Sequence, residues 1–432
     1  MDKNSAAKTP PMGWNSWDCY GASVTEDIIR GNADYMARHM KSFGWEYIVC
    51  DIQWYEPRAK STEYNSFYPL EMDEYSRLIP AVNRFPSATG GRGFATLAEY
   101  IHGLGLKFGI HIMRGIPRQA VHAATPVLGS TATARDIAQG FSLCPWNTDM
   151  YGVNPDAPGA QEYYDSLFAL YAGWGVDYVK VDDICVTEFK PHDPYSAKRE
   201  IELIRRAIDR CGRSMVLSLS PGPAPIKEAA HLCANANLWR MSGDFWDNWP
   251  QLYEMFALCR DWSPYVSEGC WPDCDMLPVG HIGLNTPGHD KHARYTNFSQ
   301  AEQRTMLSLW CIFRSPLMVG GELRDNDAFT LSLLTNPDIL AMHQNCRGAR
   351  ELLHNEGMVA WVGNNERGQT YLALFNTTWS PARPELPLSL LGIRGAATVR
   401  DLWQGKALGT VQGRISAELA PHDAAVYLLA QP

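Results

Sequence analysis

The chain has 432 residues, 45% hydrophobic and 20% charged, with a formal net charge of −9. That is an ordinary globular composition with room for one large domain and a smaller one, and it excludes disorder and a basic nucleic-acid surface. No run of about 18 apolar residues is present to span a membrane as a helix. Met1 to Pro11 is polar and lacks the apolar core of a signal peptide, so a cytoplasmic protein is expected. The 11 cysteines are scattered and odd in number, which fits reduced, mostly buried thiols better than a disulfide framework.

From Met12 to about Phe313, short apolar runs alternate with amphipathic stretches. Tyr47–Ile52, Lys107–Ile112, Tyr178–Asp183, Met215–Ser220, Leu238–Met241 and Leu317–Val319 read as strands, with Met12–Trp17 and Asp275–Val279 less regular. Thr25 is placed to cap a first helix that carries Ile28, Ile29, Met36 and Met40 and stops at Gly44. Phe94–Leu104, Tyr163–Trp174, Ala197–Ile208 and Gln300–Phe313 read as further helices. Eight candidate strands alternating with helices indicate parallel βα units. Periodicity does not separate a closed barrel from an open doubly wound sheet, but polar groups at many strand ends favour the barrel.

Pro117 to Asn154 is long for a βα connection and holds Trp146, Asn147 and Asp149; a lid over the site and a plain surface insertion are both open. After Pro337–Met342 the pattern changes to short β segments at Met358–Val362, Thr370–Phe375, Ala397–Leu402 and Ala424–Leu429. The expected division is a barrel over residues 9–346 and a small antiparallel β-domain over 347–432. The 15 tryptophans are expected mainly as core packing.

Two carboxylates end apolar runs. Asp182 closes Tyr178-Val179-Lys180-Val181-Asp182-Asp183, and Asp244 follows Leu238-Trp239-Arg240-Met241-Ser242-Gly243. A parallel barrel holds its reactive groups at such strand tips, so these two are the candidate nucleophile and general acid/base. A strand-end Asp also serves as a helix cap or ion-pair partner. Lys180 lies on the same side of its strand as Asp182 and would hold it ionised, whereas Asp183 faces away. Phe245 and Trp246 beside Asp244 would supply an apolar wall that keeps it protonated.

Several motifs match a family in order. Pro11-Met12-Gly13-Trp14-Asn15-Ser16-Trp17, Lys180-Val181-Asp182, Trp239-Arg240 with Asp244, Asp273-Cys274-Asp275-Met276-Leu277 and Asn336-Pro337-Asp338-Ile339-Leu340 closely resemble signatures of glycoside hydrolase family 27. That family contains α-galactosidases and α-N-acetylgalactosaminidases. The resemblance implies a (β/α)8 TIM barrel followed by a C-terminal antiparallel β-sandwich, no metal and no organic cofactor. It also implies retention of configuration through a covalent glycosyl-enzyme, with the two carboxyl groups about 5–5.5 Å apart. By the same resemblance Asp182 attacks the anomeric carbon while Asp244 protonates the leaving oxygen and then activates water. Trp17 stacks on the sugar, and Lys180, Arg240 and Asp275 bind its hydroxyls.

The departures bear on specificity. The family's paired acids after the second strand become Asp51-Ile52-Gln53-Trp54, so Asp51 and Trp54 remain as binding candidates while one carboxylate is lost to Ile52. Such a loss removes roughly 1.5–3 kcal/mol of hydroxyl binding, which brings a sugar without the 6-hydroxymethyl group, such as an arabinopyranoside, into consideration. His111 stands where many members carry Tyr; it either binds a hydroxyl or is a satisfied core histidine. Ile184 replaces the cysteine expected beyond the nucleophile, with Cys185 one step late, and Ser220 in Ser220-Pro221-Gly222-Pro223 slightly favours an acetamido-tolerant pocket.

Gly90–Gly93 lacks the frame of a phosphate loop, and Cys270 with Cys274 lacks a second ligand pair for zinc. Arg114 and Arg118 read either as contacts to an extended leaving group or as part of a solvated loop.

The reading is a retaining exo-α-glycosidase acting on terminal α-galactosyl-type residues, with α-galactosidase ahead of α-N-acetylgalactosaminidase and β-L-arabinopyranosidase. A non-catalytic sugar-binding barrel and a transglycosylase are the rivals. The expected partner is a carbohydrate, with neither nucleic acid nor membrane, and a homo-oligomer is compatible with the sequence.

Overall fold

The computed structural model describes residues 2–61, 63–185, 195, 197–220, 223–285, 293–355 and 357–431; Pro221 and Gly222 lie outside the described residues. By contacts the chain groups into two units. One holds residues 1–244, 267–295 and 318–326, and the other holds 245–266, 296–317 and 327–432.

Eight short strands form one parallel sheet: β1 (Met12–Asn15), β2 (Tyr47–Cys50), β3 (Lys107–Met113), β4 (Tyr178–Asp182), β5 (Val216–Leu219), β6 (Leu238–Arg240), β7 (Trp271–Asp273) and β8 (Leu317–Val319). Their order is β7-β6-β5-β4-β3-β2-β1-β8. A parallel bridge between Leu277, just past β7, and Val319 of β8 joins the two edges. The fold is therefore the (β/α)8 barrel. Its strands are buried on both faces, which is why they read as continuous apolar runs and not as alternating ones.

The helices of this unit include Glu26–His39, Ala95–Gly103, Ala160–Gly173, Lys198–Arg210 and Ala229–Asn235. The first begins with Glu26 and Asp27 and ends with Arg38 and His39, a charge order that complements the helix dipole.

Two expectations need correction. The seventh strand is Trp271–Asp273, not Asp275–Val279. Asp275 has φ +82°, a left-handed backbone that no strand residue adopts. The 117–154 segment is not a bare loop: Ile116–Pro117, Met150–Val153 and Ala138–Leu143 form a three-stranded antiparallel sheet.

The second unit carries a six-stranded antiparallel sheet, built from Arg347–Asn355, Met358–Asn364, Thr370–Asn376, Ala424–Ala430, Ala396–Asp401 and Lys406–Gln412 in that spatial order. A two-stranded pair, Glu385–Pro387 with Arg414–Ser416, faces it. Leu372, Leu374, Leu386, Val399, Ile415 and Leu429 belong to the core between the layers. The helices Trp249–Trp262 and Gln300–Phe313 group with this unit, ahead of the boundary expected at residue 347. The reason is direct packing. Phe256 meets Phe375 edge-on at 5.0 Å, Arg304 pairs with Asp423 at 2.8 Å, and Trp249 stacks on His422 at 3.6 Å.

Trp14, Trp45, Trp54, Trp239, Trp271, Trp310 and Trp361 are fully buried, so much of the tryptophan content is packing.

Candidate active site

The C-terminal ends of β1 to β7 bring Trp17, Asp51, His111, Lys180, Asp182, Arg240, Asp244 and Asp275 into one cluster. Asp51, just past β2, is its hub. Its Oδ1 accepts from His111 Nδ1 at 2.6 Å and from the Ile52 amide at 2.9 Å. Its Oδ2 accepts from Asn15 Nδ2 at 2.8 Å and from Lys180 Nζ at 3.3 Å. Burial opposes the charge, but His111 and Lys180, with hydrogen bonds from His111 and Asn15, hold this carboxyl well below the usual range. Asp51 has no exposed surface. Its hydrogen bonds fix the positions of His111 and Lys180.

Asp182 is the last residue of β4. Its Oδ1 accepts from the Asp183 amide at 2.6 Å, and its Oδ2 lies 3.0 Å from His111 Nε2. His111 thus spans two carboxylates. Burial would lower its pKa, yet the Asp51 charge and hydrogen bonds to Asp182 and Asp51 raise it against the pull of Lys180. His111 is buried between two carboxylates beside the candidate nucleophile, an arrangement that favours its charged form. The cation expected to hold Asp182 ionised was Lys180, but its direct partner is Asp51. Burial would lower Lys180 as well, and Asp51, Asp182 and Asp275 outweigh that.

Arg240, at the tip of β6, reaches Asp275 at 2.8 Å and Asp244 at 3.3 Å. Burial works against its charge, but Asp275, Asp244, Asp273 and Asp182 raise its pKa together. Its guanidinium is therefore a shared counter-ion for Asp244 and Asp275. Asp244 itself is 65% exposed at the side chain. Of the apolar wall expected from Phe245 and Trp246, Phe245 packs against Trp310 at 5.1 Å and Phe298 at 6.1 Å.

The other candidates divide. Trp17 is half-buried just past β1, its amide held by Asn15 Oδ1 at 2.9 Å. Ser220 is buried at the end of β5. Trp54 is not at the cavity surface. Its ring is fully buried against Tyr55, Phe94 and Trp174, and its indole N–H donates to the His111 carbonyl at 2.8 Å. Arg114 is no solvated loop residue; it is buried and pairs with Asp183 at 2.7 Å and Glu200 at 3.6 Å. Asp183, just past β4 with φ +53°, is thus held by Arg114. Cys185 is a buried thiol outside any disulfide.

Two groups escaped the sequence reading. Asn15 was visible only as part of the opening motif, and its hydrogen bond to Asp51 ties β1 to β2. Asp18 follows Trp17 and is 5% exposed; its Oδ2 has no hydrogen-bond partner among the described residues. Burial first, then the charges of Asp275, Asp244 and Asp51, push its carboxyl well above the ordinary range despite Lys180. Burial and Asp275 likewise raise Asp273 to about 6, against Arg240. Carboxylates outnumber the basic side chains here, in keeping with the raised pKa values of Asp18 and Asp273. Among the described residues no cluster of three or more His, Cys, Asp or Glu is arranged to hold a metal ion.

Two acids at strand tips, three buried basic side chains and a half-buried tryptophan suit cleavage of a glycosidic bond. The Alpha galactosidase A family model matches residues 138–345, and the Alpha galactosidase C-terminal beta sandwich domain matches 355–429. A crystal structure of a family 27 β-L-arabinopyranosidase from Geobacillus stearothermophilus is 57% identical, with a TM-score of 0.97 over 100% of this chain and 98% of that one. The chain belongs to glycoside hydrolase family 27. A provisionally assigned α-N-acetylgalactosaminidase from Bacillus halodurans C-125 is 53% identical, with a TM-score of 0.89 over 98% of each chain. Rice α-galactosidase is 27% identical over 99% of this chain and 86% of its own. The family 27 protein described here is therefore a glycoside hydrolase, and its substrate is a carbohydrate. No helix among the described residues is long and apolar enough to cross a membrane.

Proposed function

We propose that the enzyme is a retaining exo-glycosidase that removes terminal β-L-arabinopyranosyl residues. β-L-Arabinopyranose has the ring stereochemistry of α-D-galactopyranose without the hydroxymethyl group. The observation that carries this reading is Ile52. It is 1% exposed and apolar at the position of the second acid, beside an Asp51 whose oxygens are both already engaged. Binding a 6-hydroxyl there would leave that hydroxyl without a charged acceptor, at a cost of about 1–3 kcal/mol. The likeness to the Geobacillus enzyme supports this reading; α-galactosidase, the first expectation from sequence, is the second choice.

In this reading Asp182 bonds to the anomeric carbon. His111 and the Asp183 amide orient its two oxygens. Asp244 gives its proton to the departing oxygen and then takes one from water. Arg240 and Lys180 donate to sugar hydroxyls, and Trp17 packs on the C–H face of the ring.

The experiment is a panel of para-nitrophenyl glycosides: β-L-arabinopyranoside, α-D-galactopyranoside and α-N-acetyl-D-galactosaminide. The arabinopyranoside is expected to give the highest kcat/KM, and a galactoside preference would overturn the assignment. Ser220 favours one secondary reading, weak tolerance of the 2-acetamido sugar, which the same panel measures.

A further inference from the structure

The steps above leave two aromatic residues near the carboxylates unused. Tyr64 lies almost parallel to Trp17, with 5.9 Å between ring centroids and 18° between planes. Trp146 meets Tyr64 at 5.7 Å and 44°. The three rings make one continuous strip. Its inner end is Trp17, and its outer end is Trp146, which is 37% exposed. After burial, the charges of Asp182, Asp51 and Asp244 push the Tyr64 phenol well up.

The strip is fixed in place. Trp146 sits in the 117–154 segment, and three residues on, Asp149 is buried there. Asp149 Oδ2 accepts from Gln53 Nε2 at 2.5 Å and from Tyr55 Oη at 3.1 Å, both in the segment following β2. The Asp149 amide donates to Asn147 Oδ1 at 3.0 Å, closing the turn beneath Trp146. The inserted segment is therefore pinned to the rim of the barrel and presents an apolar ring at a set distance from the reacting carboxylates.

We propose that Tyr64 and Trp146 form the leaving-group subsite, a stacking surface for the pyranose ring to which the terminal sugar is attached. The proposal rests on Trp17, Asp182 and Asp244 marking the terminal-sugar site. A pyranose presents C–H-rich faces that pack on rigid aromatic rings at little entropic cost, while its hydroxyls stay in water. Asp244, the acid that protonates the leaving oxygen, is the exposed member of the pair, so the leaving group is held toward solvent, where Trp146 is found. The segment's length and its Trp146, Asn147 and Asp149 thereby acquire a use. Trp146 supplies the surface, and Asn147 and Asp149 hold it.

The test compares two substrates that share the terminal sugar wild type hydrolyses best in the aryl glycoside panel: the glycosyl fluoride and a disaccharide. The fluoride has no leaving-group ring. For Trp146→Ala the ratio of kcat/KM on disaccharide to that on fluoride is expected to fall about tenfold, the scale of one ring-stacking contact. Trp146→Phe is expected to restore most of it. Equal losses on both substrates, or no loss on the disaccharide, would overturn the subsite. Asp182→Asn serves as the separate control: retained fluoride hydrolysis in that variant would sink the underlying site assignment, whatever Trp146 does.

Discussion

His111 Nε2 stands 3.0 Å from Asp182 Oδ2 inside a buried cluster. The imidazole is the basic group paired with the proposed nucleophile, and Asp51 holds its other nitrogen at 2.6 Å. Replacing it with Gln keeps a polar group but removes the charge. We expect His111→Gln to lower kcat about 10- to 100-fold, the equivalent of one charge-assisted hydrogen bond. The pH dependence has a definite sign. The folded pKa lies above the ordinary 6.5, so the stabilisation from the imidazolium is complete below that value and fades as pH rises through the folded one. Urea midpoints at pH 6 and pH 9 should therefore show wild type losing an advantage that the variant never had.

Asp182→Asn is expected to cut turnover by roughly 10⁴-fold or more, as for other enzymes that lose a covalent nucleophile, with an unchanged far-UV circular dichroism spectrum. Proton NMR of the first-formed sugar checks the wild-type mechanism independently. An inverted anomer would rule out the covalent route.

Asp244→Ala should separate substrates by leaving group. Aryl glycosides with acidic phenols need little protonation and should retain far more activity than a disaccharide. A uniform loss across a series of substituted phenyl glycosides would remove Asp244 from proton donation.

Ile52→Asp restores a carboxylate beside Asp51. The ratio of kcat/KM on galactoside to that on arabinopyranoside should rise about tenfold or more, in keeping with a regained charged acceptor. The melting temperature should drop, since the new charge is buried at a site now 1% exposed.

Asp149 gives a stability prediction. Burial raises its pKa to about 6, with hydrogen bonds from Gln53 and Tyr55 acting the other way. The folded state then holds its proton more tightly than the unfolded chain. Stability from this group is present below the ordinary 3.8 and is lost as pH climbs through about 6. The loss amounts to about 3 kcal/mol at most. In Asp149→Asn that part of the decline between pH 4 and 7 should vanish from denaturant midpoints.

The barrel was legible because its strands are buried on both faces and its acids sit at their tips. Lys180-Val181-Asp182 and Trp239-Arg240 with Asp244 could be found without coordinates. The seventh strand was not, since Trp271-Pro272-Asp273 is short and carries a proline that argues against a strand. Lys406–Gln412 was missed because it is exposed along nearly its whole length and has no apolar alternation to read. In the helix Trp249–Trp262, Pro250 reads as a breaker until Asn248 is recognised as the cap, its side chain accepting from the Gln251 amide. The roles of His111, Asp51 and Asp18 depend on which tips meet across the barrel, and no local pattern encodes that. Trp54 was misplaced for the same reason: its spacing from Asp51 is consistent with a cavity residue, but the chain turns its ring inward.

Past β8 the backbone at Gly320 runs against Asp18, so that a methyl group there would lie 2.0 Å from Asp18 Oδ2. Alanine at 320 would act as a wedge. It would shift a buried carboxyl whose pKa is raised, without altering any ionisable side chain, so the pH–rate profile of Gly320→Ala would isolate how far that acid's seat governs its charged neighbours across the ring of strand tips.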